Sequence, residues 1–341
     1  MMNIMKIGKN KKAEISTSFL ISFIILVIGF AIILYIILSF NWAGTIDRET
    51  CHESVVYRSL NVKFIEAGRV VPLKCETEKV CFTMSGDDCS ALTSTEKNPV
   101  RKVKLSSNKD IAKEKVESEI AESMVNCHWM LGEGKLDFMP HNNLEWENEK
   151  TNYGLICTRF AFDEKAAKEL EDITHREMYT YLARKKYKED QSYLEYLYPG
   201  WKNSGYALNI FDALKDSDDK NADALKNSNF NDWKIYPEYE RGYTIIATMA
   251  PYGNFDAWLK GVGTAGLISA GTVVLASFIP GGWGLVGVTM LPLVVGGGVA
   301  SGAMLWYSYN GEYLYSPPSI YLYDTEVLKM LKIHNFEIAP D

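Results

Sequence analysis

Charged residues disappear from two long stretches of the chain, Ile15 to Ile46 and Gly261 to Gly311, 32 and 51 residues long. A charge-free apolar run of about 18 or more residues is long enough to cross a bilayer as a helix. The first run is rich in Ile, Leu and Phe and predicts a transmembrane helix over residues 15–40. The second breaks at Ile279-Pro280-Gly281-Gly282-Trp283. It predicts a transmembrane helical hairpin over residues 259–308, with Val262–Ile279 and Trp283–Tyr307 as its two spans. Gly298-x3-Gly302 and Gly266-x3-Ala270 are small-x3-small pairs that let helices pack closely in lipid, which marks Gly266, Gly298 and Gly302 as helix-packing glycines.

The remaining pattern is that of an α+β domain. Val70–Met84 carries β-formers around Pro72 and Cys81 and predicts a β-hairpin; Gly86–Asn98 is polar and turn-rich, a loop. Asn108 or Asp110 opens a helix in which Val116, Ile120, Met124, Cys127 and Leu131 fall on one stripe, and Gly132-Glu133-Gly134 ends it as a glycine cap. A strand follows at Tyr153–Phe162. Asp163 then caps a second helix, from Glu164 to about Lys188, with Leu170, Ile173, Met178 and Leu182 inward. Tyr243–Met249 and Ser319–Tyr323 read as strands and Thr325–Leu331 as a short helix. A last strand that rejoins the sheet makes the apolar hairpin an insertion within one domain.

Charge orients these elements. Residues 1–14 hold Lys6, Lys9, Lys11 and Lys12 and form a basic segment, and cytoplasmic flanks of spans are enriched in Lys and Arg. The N-terminus is therefore expected inside. Residues 41–258 and 309–341 are then expected outside, in a multi-pass protein whose first partner is the lipid bilayer. Outside the flanking segments, residues 42–258 hold 29 basic and 37 acidic residues, a net of −8. That balance excludes nucleic acid as a partner, because phosphate binding needs clustered Lys and Arg. Other envelope proteins, or a second copy of the chain, remain.

All six cysteines, Cys51, Cys75, Cys81, Cys89, Cys127 and Cys157, lie in the expected ectodomain. An even count outside the cytoplasm predicts up to three disulfides, with 15 connectivities open. Local spacing favours bridges among Cys51, Cys75, Cys81 and Cys89, and Cys127 to Cys157 as the third. Zinc is the rival, but Cys75-x5-Cys81-x7-Cys89 lacks the paired short spacing of structural zinc sites.

Lys11-Lys12-Ala13-Glu14 immediately precedes the first apolar run. This segment resembles the class III signal peptides of archaeal type IV pilin-like proteins, in which a basic stretch ends in Lys or Arg plus a small residue and is cleaved ahead of the apolar helix. The resemblance implies processing after Ala13, with Lys12, Ala13 and Glu14 forming the site. The wider layout of anchor, cysteine-bearing domain and late Gly-rich segment looks like archaeal membrane-anchored proteins. A plain signal-anchor with a basic flank accounts for the same residues.

Catalytic motifs are not found. Gly132-Glu133-Gly134-Lys135 follows a helix and lacks the glycine spacing and hydroxyl of a phosphate-binding loop. The five histidines show no metalloprotease pattern, and there is no Gly-x-Ser-x-Gly elbow. No cofactor or metal is expected. An enzyme reading would gain from a deep pocket lined by His128, Glu133 or Asp137. The leading expectation is a non-enzymatic envelope protein that binds or assembles at the surface, with the aromatic stretch Tyr193 to Tyr243 as its contact region. A processed pilin-like subunit and a membrane-perturbing hairpin are the alternatives.

Overall fold

The computed structural model describes residues 23–31, 43–59, 61–62, 65–66, 73–92, 99–138, 152–170, 173–198, 234–235, 241–251, 284–295, 298–308, 313–323 and 333–335. The chain divides into two compact units, Met1–Ile46 and Asp47–Asp341. In the first, residues 23–31 are helical. Phe23, Ile24, Ile25, Leu26, Val27, Ile28 and Phe30 are all between 47% and 67% exposed, so this helix shows apolar side chains on every side. No helix among the described residues is long and apolar enough to cross a membrane.

The second unit is α+β and carries three disulfides. Its main strands are β1 (Glu78–Thr83), β2 (Val100–Lys104), β3 (Asn152–Phe162), β4 (Tyr243–Pro251), β5 (Gly284–Val295), β6 (Gly298–Ser308), β7 (Tyr313–Leu322) and β8 (Ile333–Asn335). They form one eight-stranded sheet in the order β5-β6-β7-β4-β3-β1-β2, with β8 parallel to the start of β3. The helices are α1 (Ala43–Ser59, of which residues 47–59 fall in this unit), α2 (Lys109–Met130), α3 (Glu164–Glu169), α4 (His175–Arg184) and α5 (Tyr193–Leu197).

At the heart of the sheet β1 lies between β2 and β3 and runs parallel to both. Helix α2 makes the crossover from β2 to β3, as parallel pairing requires. It begins where the sequence indicates: the Asn108 carboxamide accepts the amides of Asp110 at 3.0 Å and Ile111 at 3.2 Å. All five residues of the expected stripe, Val116, Ile120, Met124, Cys127 and Leu131, are buried. Beside them Phe160 stacks on Tyr243 at 5.5 Å and Phe82 on Phe162 at 5.3 Å. Every residue of β3 and β4 whose side chain is described is buried, which explains why these strands read as nearly continuous apolar runs.

The cysteines pair as Cys51–Cys75, Cys81–Cys89 and Cys127–Cys157. The first ties α1 to the segment before β1, and the third ties α2 to β3. The first also explains why Val70–Met84 is not a hairpin. Residues 73–77 are held against α1, where the Lys74 amide also donates to Ser54 Oγ at 3.0 Å, so β1 finds its neighbours elsewhere.

Two further expectations change. The helix expected from Glu164 to about Lys188 is broken. Asp163 does cap α3, accepting the Ala166 amide at 2.6 Å, but Leu170 leaves helical geometry and Ile173–Thr174 pair with Lys234–Ile235 before α4 begins. The β-branched pair at 173–174 suits that short ladder better than a helix. Leu170, Ile173, Met178 and Leu182 are nonetheless buried. The larger correction concerns the apolar hairpin. In place of the second helix expected at Trp283–Tyr307, the described residues 284–295 and 298–308 are the antiparallel pair β5 and β6, in register from Gly284↔Ser308 to Val295↔Gly298. Apolar length alone does not separate a helix from paired strands. Here Pro292 weakens a helix, and valines favour the extended chain. Val262–Ile279 and Thr325–Leu331 lie outside the described residues.

β7 pairs with β4 from Tyr243↔Leu322 to Pro251↔Tyr313. The strand expected at Ser319–Tyr323 thus belongs to the sheet, and the charge-free stretch is inserted between two neighbouring strands.

Candidate functional site

The residues singled out from sequence go to different places. The six cysteines are bridged, and none is free. Lys12, Ala13, Glu14 and Gly266 lie outside the described residues. Gly298 and Gly302 stand in β6, opposite Val295 and Leu291, where a four-residue spacing is not a helix-packing motif. Of the aromatic stretch, Tyr193–Tyr198, Lys234–Ile235 and residues 241–243 are described. His52 stacks on Trp129 with centroids 4.3 Å apart. Asp137 bears on Arg58, whose guanidinium is pushed down by burial and raised again by the Asp137 charge. No group of three or more potential metal ligands is found among the described residues.

His128 and Glu133, by contrast, come together at the C-terminal end of α2. There the chain takes three successive left-handed residues, Gly132 (φ 67°), Glu133 (φ 57°) and Gly134 (φ 71°). Glycine is at home in this region, whereas a residue with a Cβ is strained. The close approach behind the turn also demands glycine, because a Cβ at Gly134 would lie 2.3 Å from Tyr315 Cδ1. The turn presents the Glu133 carboxylate to two donors. Tyr196 on α5 donates its hydroxyl to Oε1 at 2.9 Å, and Lys135 pairs with Oε2 at 2.5 Å. Beneath, His128 is 1% exposed, and its Nδ1 shares a 3.0 Å hydrogen bond with the Tyr315 hydroxyl of β7. The Tyr196 ring meets the His128 ring edge-on at 5.3 Å.

Local sequence explains α5. Ser192 Oγ accepts the Glu195 amide at 3.2 Å and the Glu195 carboxylate accepts the Ser192 amide at 2.9 Å, a capping box. Ahead of it, Lys186–Lys188 and Gln191–Ser192 form a tight two-stranded turn. This places Tyr187 4.7 Å from Tyr196 and 5.6 Å from Tyr193. Tyr181 of α4 extends the group, 6.2 Å from Tyr193. Lysines stand over these rings: Lys188 Nζ lies 5.0 Å from the Tyr187 centroid and 5.2 Å from that of Tyr196, and Lys185 Nζ lies 5.7 Å from Tyr181.

Electrostatics fix the protonation states. Burial pushes His128 down to about 3, more than the nearby Glu133 charge restores. Burial, then the bond to Glu133, pushes the Tyr196 phenol up; burial does the same to Tyr315. Burial alone would raise the Glu133 carboxyl, but the hydrogen bonds from Lys135 and Tyr196 outweigh it and hold the group low. Near neutral pH the cluster is a fixed carboxylate, a neutral imidazole and protonated phenols. None of these groups is poised for proton transfer, which needs a pKa near the working pH. The arrangement offers ring faces and a negative charge, features suited to holding a ligand. The pairing of Glu133 with Tyr196 across 63 residues left no mark in the sequence; the two glycines flanking an acid were its one readable sign.

No protein-family model, no curated protein and no solved structure matches the chain.

Proposed function

We propose that this is a non-enzymatic, membrane-anchored protein of the cell envelope that binds or assembles at the surface through its disulfide-stapled domain. The observation that carries the reading is the helix at residues 23–31, with seven large apolar side chains exposed around it inside a 32-residue run without charge. Exposed apolar surface of that kind calls for a lipid or protein cover, and the length of the run favours lipid. The basic residues before it favour a cytoplasmic N-terminus. Six cysteines that all pair support an oxidising compartment for the domain. The second charge-free stretch, Gly261–Gly311, adds membrane contact in this reading, and the tyrosine and lysine group around Tyr196 is the contact surface.

Membrane fractionation tests the anchor. Full-length protein is expected to stay with membranes through alkaline carbonate, and a chain lacking residues 1–40 to lose at least the N-terminal part of that attachment. Extraction of the full chain by carbonate would sink the reading. Lys12-Ala13-Glu14 supports a second, pilin-like form of it. A mature N-terminus beginning at Glu14, read by mass spectrometry, is its signature; an intact Met1–Ala13 removes it.

A further inference from the structure

Four lysines surround the tyrosine group, and three are tied to oxygen. Lys135 pairs with Glu133, Lys185 with Glu114, and Lys186 donates to the Glu189 carbonyl at 2.7 Å. Lys188 is different: among the described residues its ammonium is held by no carboxylate, only by the faces of Tyr187 and Tyr196. The two rings are 4.7 Å apart and inclined by 38°, so they form two walls of a corner around one cation. A ring face attracts a cation through its quadrupole. Donation of the Tyr196 hydroxyl to an anionic carboxylate makes that ring richer in electrons, and Glu133 stands behind it as a carboxylate shared with Lys135. Tyr196 is 9% exposed and pinned by α5, so this wall is preformed, while Lys188 is an exposed side chain on a turn and free to swing away.

We propose that Tyr187 and Tyr196, backed by Glu133, form a binding corner for the side-chain ammonium of a partner's lysine, with Lys188 as the resident cation that the partner displaces. The geometry is already that of a lysine ammonium, because a lysine occupies it. The acidic balance of residues 42–258 favours a basic partner over an acidic one. The resident cation lowers apparent affinity by the fraction of time it fills the corner, which makes the contact selective for partners that bring further binding surface. The proposal rests on the reading of the domain as a binding module, but its test needs no membrane, so the two fail separately.

The test uses full-length protein in detergent micelles with ring-labelled tyrosine, Tyr187 being assigned from the Tyr187→Phe variant. Nα-acetyl-lysine amide is titrated against Nα-acetyl-norleucine amide, which has no charge, and Nα-acetyl-glutamate amide, which carries the opposite one. The lysine probe alone is expected to shift the Tyr187 and Tyr196 ring signals. Lys188→Met is expected to bind it about fivefold tighter than the wild type, as removal of one exposed cation–π partner implies. Tyr187→Phe keeps the ring and is expected to keep binding; Tyr187→Leu loses it. Equal affinity in the wild type and Lys188→Met, equal response to norleucine, or preference for glutamate would each overturn the proposal. Lys188 is exposed and its variant leaves the core as it is, whereas Tyr187 packs partly against the core, so retained binding in Tyr187→Phe and the melting midpoint of Tyr187→Leu separate lost contact from lost packing.

Discussion

At Gly134 two demands coincide, a left-handed backbone and a missing Cβ against the Tyr315 ring. Gly134→Ala meets both penalties and is expected to cost about 2–4 kcal/mol, read as a lowered denaturation midpoint. It should also break the His128–Tyr315 bond. His128 makes a second prediction, about pH. Its folded pKa, about 3, lies below the unfolded value of 6.5. The unfolded chain therefore takes up a proton first as pH falls. Stability is undiminished above pH 6.5 and is lost progressively toward pH 3, by on the order of 5 kcal/mol. Midpoints measured from pH 7 to 4 should fall, and His128→Leu, although less stable at neutral pH, should fall less steeply. An equal slope in the two proteins would refute this account of the buried imidazole.

Elements, in this protein, are locked to each other by a few buried polar or covalent ties. Asp163 is one: its Oδ2 accepts from Thr83 Oγ1, Ser85 Oγ and the amides of Met84 and Ser85, while Oδ1 caps α3. Asp163→Ala should cost about 3 kcal/mol or more by orphaning several donors at once. The disulfides are another. Removing Cys127–Cys157, which spans 30 residues, is expected to cost about 3.6 kcal/mol, and removing Cys81–Cys89, which spans 8, about 2.5 kcal/mol. Paired alanine variants compared by thermal unfolding give the order. The contact between α2 and α4 responds to pH in the opposite sense to His128. Glu117 is raised to about 7, by burial first and then by Glu177 and Glu114, with Lys113 and Lys185 opposing. A raised carboxyl contributes stability below its unfolded pKa of 4.5 that is lost as pH climbs through 7. Glu117→Gln should accordingly be the more stable protein at pH 8 and lose that advantage at pH 4.5. Helix α2 was legible almost to the residue, because its cap, stripe and terminal glycine are all local signals. The segment at 70–77 was not, because a disulfide to α1 and a hydroxyl 20 residues away decide where it lies.

For the whole chain, the α+β class, the Cys127–Cys157 bridge and the return of β7 to the sheet followed from pattern and spacing; which of Cys51, Cys75, Cys81 and Cys89 pair with each other did not. The strands β5 and β6 did not, since an uninterrupted apolar run satisfies helix and ladder alike until a partner is specified. Nor did the corner around Tyr196, built from α2, α5 and a two-stranded turn that meet only in three dimensions. The pairing of β4 with β7 has one more consequence. Pro251 and Tyr313 stand opposite each other, so the 61 residues between them begin and end at one doorway, and they carry β5 and β6, which extend the same sheet beyond β7. Closing a long loop rather than a short one costs only a few tenths of a kcal/mol to about 0.6 for each doubling of its length. Among the described strands, those of the insertion join the rest of the sheet through β7 alone, so the insertion can be exchanged as a unit. A chain in which Asn-Gly replaces residues 252–312 should keep its three disulfides and its near-ultraviolet signature. A surgical graft at that doorway would then carry a different passenger on the same frame.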